Sequence, residues 1–357
     1  MAVVNAGSLA RAQYHVRRAD LARDGTEIAS LCQAASLHCT PEKYHWNYQA
    51  NPLQPAWCGL VIEDHSQQIV GTTALFPRRL LVDGQRVRAA VAGDFAVGAG
   101  HRVLYPALLL QRAALGACHA GEFDVLFGFP NDAARPVQRR AGYRPVGQVC
   151  AGVRLLNTQT VLAQYGRRSW WTRVGAIFDS LVTLISKERR DVNAGPYDYV
   201  ELPAFDQRFD RFWRDALPRH RVVVERDSAY ANWRFLQCPV RKYSLLAAVR
   251  RSSGEIGGYV VWSEQGGKAR IADLMACEDA FDGLLSAFIR LQRERQAYCI
   301  TAVYFGDNRL VRRLCRFGFL FRRTRSELLV GANSRPGVLE PLLDANNWYL
   351  FEGDSDS

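Results

Sequence analysis

Along the first 156 residues, stretches that alternate apolar with polar give way to stretches with helical spacing, and back again. "QYHVRRA" (13–19) alternates and predicts a first strand. "DLARDGTEIASLCQAAS" (20–36) opens on an Asp cap and then spaces its apolar residues three and four apart, as a helix does. "TPEKYHWNYQANP" (40–52) has a Thr-Pro-Glu helix start and stops at Pro52. "AWCGLVIED" and "QQIVGTTALFPRRLLVDG" predict two strands joined by a polar turn. "QRVRAAVAGDFAV" (85–97) predicts a further long strand. A helix from Pro106 to about Ala120 and a short buried strand in "FDVLFGFP" (123–130) come next. A basic helix in 131–143 ending at Gly142 and a strand in "RPVGQVCAGVRLL" close the series. The order is β-α-α-β-β-β-α-β-α-β, an α/β chain with a mixed sheet.

The pattern then repeats. "WNYQANP" (46–52) and "WRFLQCP" (233–239) share a Trp, an aromatic two residues on and a closing Pro. Each is followed by strand, polar turn and strand. "FGFPNDAARPVQRRAGY" faces "VYFGDNRLVRRLCRFGF": a strand leads to Asn131 or Asn308, then to a basic helix ending in Gly-aromatic. The offset stays near 180 residues by this reading of the sequence. Matching elements in the same order predict tandem copies of one fold. The boundaries expected are 1–155, a helical linker at 156–196, 197–335, and a C-terminal strand with an acidic, mobile end at 336–357. In the linker, Trp170, Trp171, Ile177, Phe178, Leu181 and Ile185 fall on one stripe of a helix at 167–190 flanked by Arg and Lys. That stripe fits either a helix packed between the copies or a surface lying on a membrane or a partner.

Charge adds little direction. The formal net charge is +11 over 357 residues. It permits an anionic partner, but the arginines are scattered, so no DNA-binding face is expected and tRNA has weak support. The nine cysteines include no CxxC pair. They are read as free thiols of a reducing cytoplasm, with no metal site. No apolar run reaches the 18 or so residues of a membrane span.

Chemistry concentrates in "VGAGHRVLYPALLLQRAAL" (97–115). A strand ends at Val97, a loop follows and a helix opens, the arrangement that cradles a pyrophosphate. The turn lacks the usual glycines. Its counterpart, "MACEDAFDGLL" (275–285), places Glu278, Asp279 and Asp282 in the same position. These acids suit a helix start but repel a diphosphate, so the second copy is expected to leave it unbound.

Order, spacing and duplication together resemble the GCN5-related N-acetyltransferase (GNAT) superfamily as a tandem pair, over 12–155 and a degenerate copy over 197–332. In that family a Q/R-x-x-G-x-G/A loop binds the pyrophosphate of acyl-CoA. On this resemblance Arg102 fills the first position, Val103 and Leu104 follow, Tyr105 replaces the first glycine and Ala107 fits the last. "DFAV" (94–97) matches the strand whose backbone pairs with pantetheine, which assigns Ala96 and Val97. Asn131 matches the residue that contacts pantetheine or the adjoining helix. The family's tyrosine acid, seven residues further on, is missing: the position holds Gln138 in one copy and Cys315 in the other.

Acyl transfer to an amine needs an oxyanion donor and a proton acceptor, with no covalent enzyme intermediate. Asp94, a lone acid in an apolar strand, is the candidate base; capping a loop or pairing with an Arg would explain it equally well. The expected activity is transfer from acyl-CoA, acetyl or longer, to a small-molecule or sugar-linked amine in the first copy. The alternatives are a non-catalytic binding or scaffold module and an aminoacyl-tRNA-dependent transferase of the Fem-like kind.

Overall fold

The computed structural model describes residues 13–158, 160, 195–216, 220–333 and 339–355. The stripe expected at 167–190 lies outside the described residues. The first half runs β1 (Tyr14–Arg18), α1 (Gly25–Ala34), α2 (Pro41–Tyr44), β2 (Trp57–Glu63), β3 (Ile69–Val82), β4 (Gln85–Val97), α3 (Leu104–His119), β5 (Val125–Gly128), α4 (Ala134–Ala141) and β6 (Arg144–Leu155). The second half opens with β7 (Tyr197–Leu202), α5 (Gln207–Ala216), β8 (Val222–Val224) and α6 (Ser228–Ala231). It continues through β9 (Tyr243–Arg250), β10 (Ile256–Gln265), β11 (Lys268–Ala276), α7 (Glu278–Glu294), β12 (Cys299–Gly306), α8 (Asn308–Cys315) and β13 (Leu320–Ala332). A short helix α9 (Leu339–Leu342) and β14 (Trp348–Phe351) end it.

Local signals account for most boundaries. The Thr40 hydroxyl accepts from the Lys43 amide and Pro41 opens α2, as the sequence predicts. The chain then widens into a π-helical turn at His45–Gln49. Asp227 caps α6 in the same way, and a second π-helical turn follows at Asn232–Leu236. The β3–β4 hairpin turns on Asp83 and Gly84, both at positive φ, the pair a two-residue turn requires. Gly266 and Gly267 do the same between β10 and β11. Asp20, expected to cap the first helix, instead caps a turn at Ala22 and Arg23, and α1 begins at Gly25.

The halves exchange their last strands. β5 pairs not with β6 but with β13 from the second half, and β12 pairs with β6 from the first. β6 and β13 lie side by side, antiparallel, at the centre. One 14-stranded sheet results, with β14 and β8 as side branches. The pairings β3–β4–β5–β13–β6–β12–β14–β8 return to β3 and so close a ring of eight strands. All eight contribute to one buried cluster that includes Leu80, Val91, Phe127, Val224, Val330 and Trp348. Trp46 and Trp233, the repeated tryptophans, stack in this cluster with ring centroids 4.9 Å apart. Each indole N–H donates to the other's backbone carbonyl, at 2.9 and 3.3 Å. The two Trp segments thus meet in the shared core.

The C-terminal residues overturn the expectation of a mobile acidic end. β14 is buried, and the turn after it carries Asp354 into the core, where it ion-pairs with Arg226 at 2.7 Å. Arg226 also holds Asp273 of β11 at 2.8 Å. Glu352 pairs with Arg241 and Arg270.

Candidate functional site

β4 and β5 run parallel only from Ala89 to Val91. Beyond Val91 they diverge, and among the described residues no strand pairs with that edge of β4 from Ala92 to Val97. Its other edge stays paired to β3 as far as Val97. The gap opens into a cleft of about 470 Å³. Of the residues singled out by sequence, Ala96, Val97, Arg102, Val103, Leu104, Ala107 and Asn131 all line it. Sequence reading missed Phe95 and Val137, which also line it, together with Ala35 and Leu37 from the end of α1. Ala134 and Val137, one turn apart on an otherwise basic helix, were the signal for the α4 wall. Among the described residues that line the cleft there is no carboxylate.

The floor of the cleft is the start of α3. The helix begins at Leu104, two residues before the position expected from Pro106. Pro106 sits in the first turn, where an N–H has no intrahelical partner in any case, so its ring is tolerated. Val103 at the N-cap offers no side-chain hydrogen bond. The first turn therefore presents uncapped N–H groups and the positive end of a 16-residue helix to the cleft. Arg102 bends over the strand end, its Nε donating to the Val97 carbonyl at 3.1 Å. Asn131 turns to the adjoining helix: its Oδ1 accepts from the amides of Ala133 and Ala134 at 3.1 and 2.9 Å.

Tyr105 does not line the cleft. Its ring packs on Tyr14 of β1, with centroids 6.4 Å apart. Tyr14 in turn shares a hydrogen bond with His101 at 3.1 Å. The ring that replaces the family's glycine is thus stored against β1, and the backbone keeps its turn.

Asp94 sits next to the cleft and is buried away from it. Thr72 faces Ala96 while Ala74 faces Gly93, so β4 carries one extra residue in a bulge at this point. Asp94 occupies the bulge at φ +42, in the left-handed region. A non-glycine residue held there costs on the order of 1 kcal/mol. Its carboxylate accepts from the Tyr48 hydroxyl at 2.9 Å. Tyr48 stacks on Tyr44 and meets Phe76 edge-on. Burial, reinforced by the Asp94 charge, pushes the Tyr48 phenol well above its usual range, so it stays protonated as a donor. Burial likewise raises the nearby Cys58 thiol to about 12. The proton-donor position of the family remains without one: Gln138 is buried with its Oε1 lacking a hydrogen-bond partner among the described residues, and the Cys315 thiol is raised by burial. Among the described residues no group of three or more acidic, His or Cys side chains is placed to hold a metal, and no helix is long and apolar enough to cross a membrane.

Comparisons with known proteins agree with this geometry. Residues 16–146 match the sequence profile described as an acetyltransferase (GNAT) domain. No match to a curated protein was found. Among solved structures, a probable N-acyltransferase from Enterococcus faecalis superposes with a TM-score of 0.65 at 13% identity, over 89% of this chain and 72% of that one. A GCN5-related N-acetyltransferase from Anabaena variabilis gives 0.63 at 12% identity, over 88% and 72%. The N-myristoyltransferase of Saccharomyces cerevisiae with bound myristoyl-CoA gives 0.55 at 12% identity, over 91% and 80%. Residues 16–146 are a GNAT acetyltransferase domain, in a chain whose fold is that of the GNAT-like acyltransferases.

Proposed function

We propose that this chain is an acyl-CoA-dependent N-acyltransferase whose active site is the first-half cleft, and that residues 197–332 are a second, degenerate copy of the same fold. The observation that carries the reading is the free edge of β4 leading to the uncapped start of α3. A donor with an amide-bearing arm and a diphosphate meets both needs there, and the lining has no acid to repel it.

Acyl-CoA, when bound, supplies the activated acyl group as a thioester. The residues of this chain do the rest. First-turn N–H groups of α3 and the Arg102 guanidinium hold the diphosphate. Backbone N–H groups near Ala96 and Val97 are the candidate oxyanion donors; fixed in a strand, they need no reorganisation as charge develops. Phe95, Ala96 and Val137 exclude water from the same wall. Asp94, outside the lining, is the candidate proton acceptor for the attacking amine through an intervening water chain, its carboxylate oriented by the Tyr48 hydroxyl. Positioning of amine and donor side by side contributes the larger share, because direct attack needs no enzyme nucleophile.

The test is a thermal-shift titration of the whole chain with acetyl-CoA and longer acyl-CoAs. Binding to the native state raises the midpoint, by an amount equivalent to about 2.7 kcal/mol at 100 times the dissociation constant. A midpoint unmoved by every acyl-CoA overturns the proposal. A rise without turnover of any amine supports instead a binding module, a reading favoured by the missing proton donor at Gln138.

A further inference from the structure

The second half has a cleft at the corresponding corner, of about 650 Å³, between the end of β11, the start of α7 and one face of α8. Its lining includes Arg309, Arg312, Arg313 and Arg316, with Met275, Leu310, Phe281 and Tyr349 in the apolar part and the His220 ring 4.1 Å from that of Tyr349. Spacing of three and four residues puts the four guanidinium groups on one face of the helix. Two acids, Glu278 and Asp282, share the cleft, and by sequence they repel an anion. The structure uses them otherwise. Arg313 binds both carboxylates at 2.7 Å, and its guanidinium lies 4.1 Å from the centre of the Phe281 ring. Asp279, the third acid of the turn, pairs with Arg250 outside the cleft. Arg309 leans toward Asp307 at 3.4 Å. Arg312 and Arg316 make no ion pair among the described residues. Four guanidinium groups against two carboxylates leave the lining cationic.

The slot behind this cleft is closed. β11 and β12 pair from Lys268 to Ile271 and then diverge as β4 and β5 do. The gap is filled by the C-terminal segment: the Tyr349 hydroxyl donates to the Leu274 carbonyl, and Gly353 lies so close to the Ala272 carbonyl that a Cβ would sit 2.8 Å from it. A ligand with a long arm has nowhere to thread it. The volume lies in the range of small-molecule sites.

We propose that this second cleft binds a compact organic phosphate, its phosphate held by Arg312 and Arg316 and its apolar part against the apolar lining around Leu310. The proposal does not depend on acyl transfer in the first half. It is tested by calorimetric titration of phenyl phosphate and inorganic phosphate into full-length protein carrying Val103→Glu, which places an acid in the first cleft and removes that competing anion site. Phenyl phosphate binds this variant, and adding Arg312→Gln and Arg316→Gln weakens it at least about tenfold, since each removes a charge-assisted hydrogen bond. Both arginines are exposed, so the fold is kept, and an unchanged melting midpoint verifies it. Phenyl phosphate binds several times more tightly than inorganic phosphate, through its ring. Absence of binding to the Val103→Glu protein, or binding unchanged by the two Arg substitutions, overturns the site. Equal affinity for the two phosphates overturns the organic ligand.

Discussion

At the end of β4 the strand edge facing β5 is unpaired among the described residues from Ala92 to Val97, whereas at the end of β11 the matching edge is covered by Tyr349 and Gly353. Both corners have a parallel pair of strands that diverge, a long helix starting at the mouth and a basic helix alongside. In the first half two of that helix's three arginines are ion-paired, Arg135 with Asp132 and Arg139 with Glu327, none of the three lines the cleft, and the cleft wall is Ala134 and Val137. In the second half the arginines face the cleft. The difference teaches that the acids of "EDAFD" do not decide what the second corner binds. A short C-terminal strand does, by occupying the slot, while Arg313 neutralises two of the acids.

The largest expected effect tests whether the halves are separable at all. Trp46→Ala and Trp233→Ala each remove half of a stacked, doubly hydrogen-bonded pair in the shared core, and each is expected to cost about 3–5 kcal/mol. Urea unfolding followed by fluorescence and circular dichroism should show one shifted transition for either variant. Two resolved transitions, with one half unaffected, would mean that each half has its own core.

The next effect belongs to the plug alone. Burial raises the Asp354 carboxyl from 3.8 to about 6, against the opposing pull of Arg226. Between those values the folded chain holds a proton that the unfolded chain releases. The contribution of this group to stability is therefore greatest at low pH and falls as pH rises through about 6, by on the order of 3 kcal/mol in all. Asp354→Asn should flatten that slope in urea midpoints measured across the window. A variant with the wild-type slope would place the titration elsewhere.

A smaller effect makes the first corner acidic, as the second is. Val103→Glu sets a carboxylate at the N-cap of α3, where the helix welcomes it and a diphosphate does not. Acyl-CoA binding should weaken at least about tenfold with the melting midpoint of the free protein little changed. Equal binding would remove the start of α3 from the proposed site. The least effect is expected from Tyr105→Gly. With the ring packed on Tyr14 and outside the cleft, acyl-CoA affinity should stay as it is; a tighter complex would show that the ring swings into the cleft.

Much of this was legible in the strand and helix pattern, because alternation and helical spacing are local. The likeness of the Trp46 and Trp233 segments is visible for the same reason, and Arg102, Val103, Leu104 and Ala107 came together because a strand-to-helix turn is itself local. Partnership is not local. β6 and β13 have the alternation of any half-buried strand, and nothing in "RPVGQVCAGVRLL" says that its neighbours are β12 and β13 rather than β5. Asp94 stood out as an acid among apolar residues, yet the bulge that turns it onto Tyr48 depends on register with β3. Asp354 looked like part of a solvated tail, since Arg226 lies more than a hundred residues away in sequence.

The exchange of β6 and β13 also bears on how the chain is made. β5 leaves the ribosome early, but the strand that completes it is residues 320–332. Until then the nascent first half carries an open sheet edge, the kind of surface that recruits foreign strands. Closing contacts this far apart in sequence are slow to form and leave intermediates exposed. Any fragment that stops after β6 leaves β5 without its strand and β6 without either neighbour. Such a fragment can cover β5 only with its own β6 or with a strand of another molecule, so cutting the gene after β6 yields a half with a sheet edge to fill, not a self-sufficient domain.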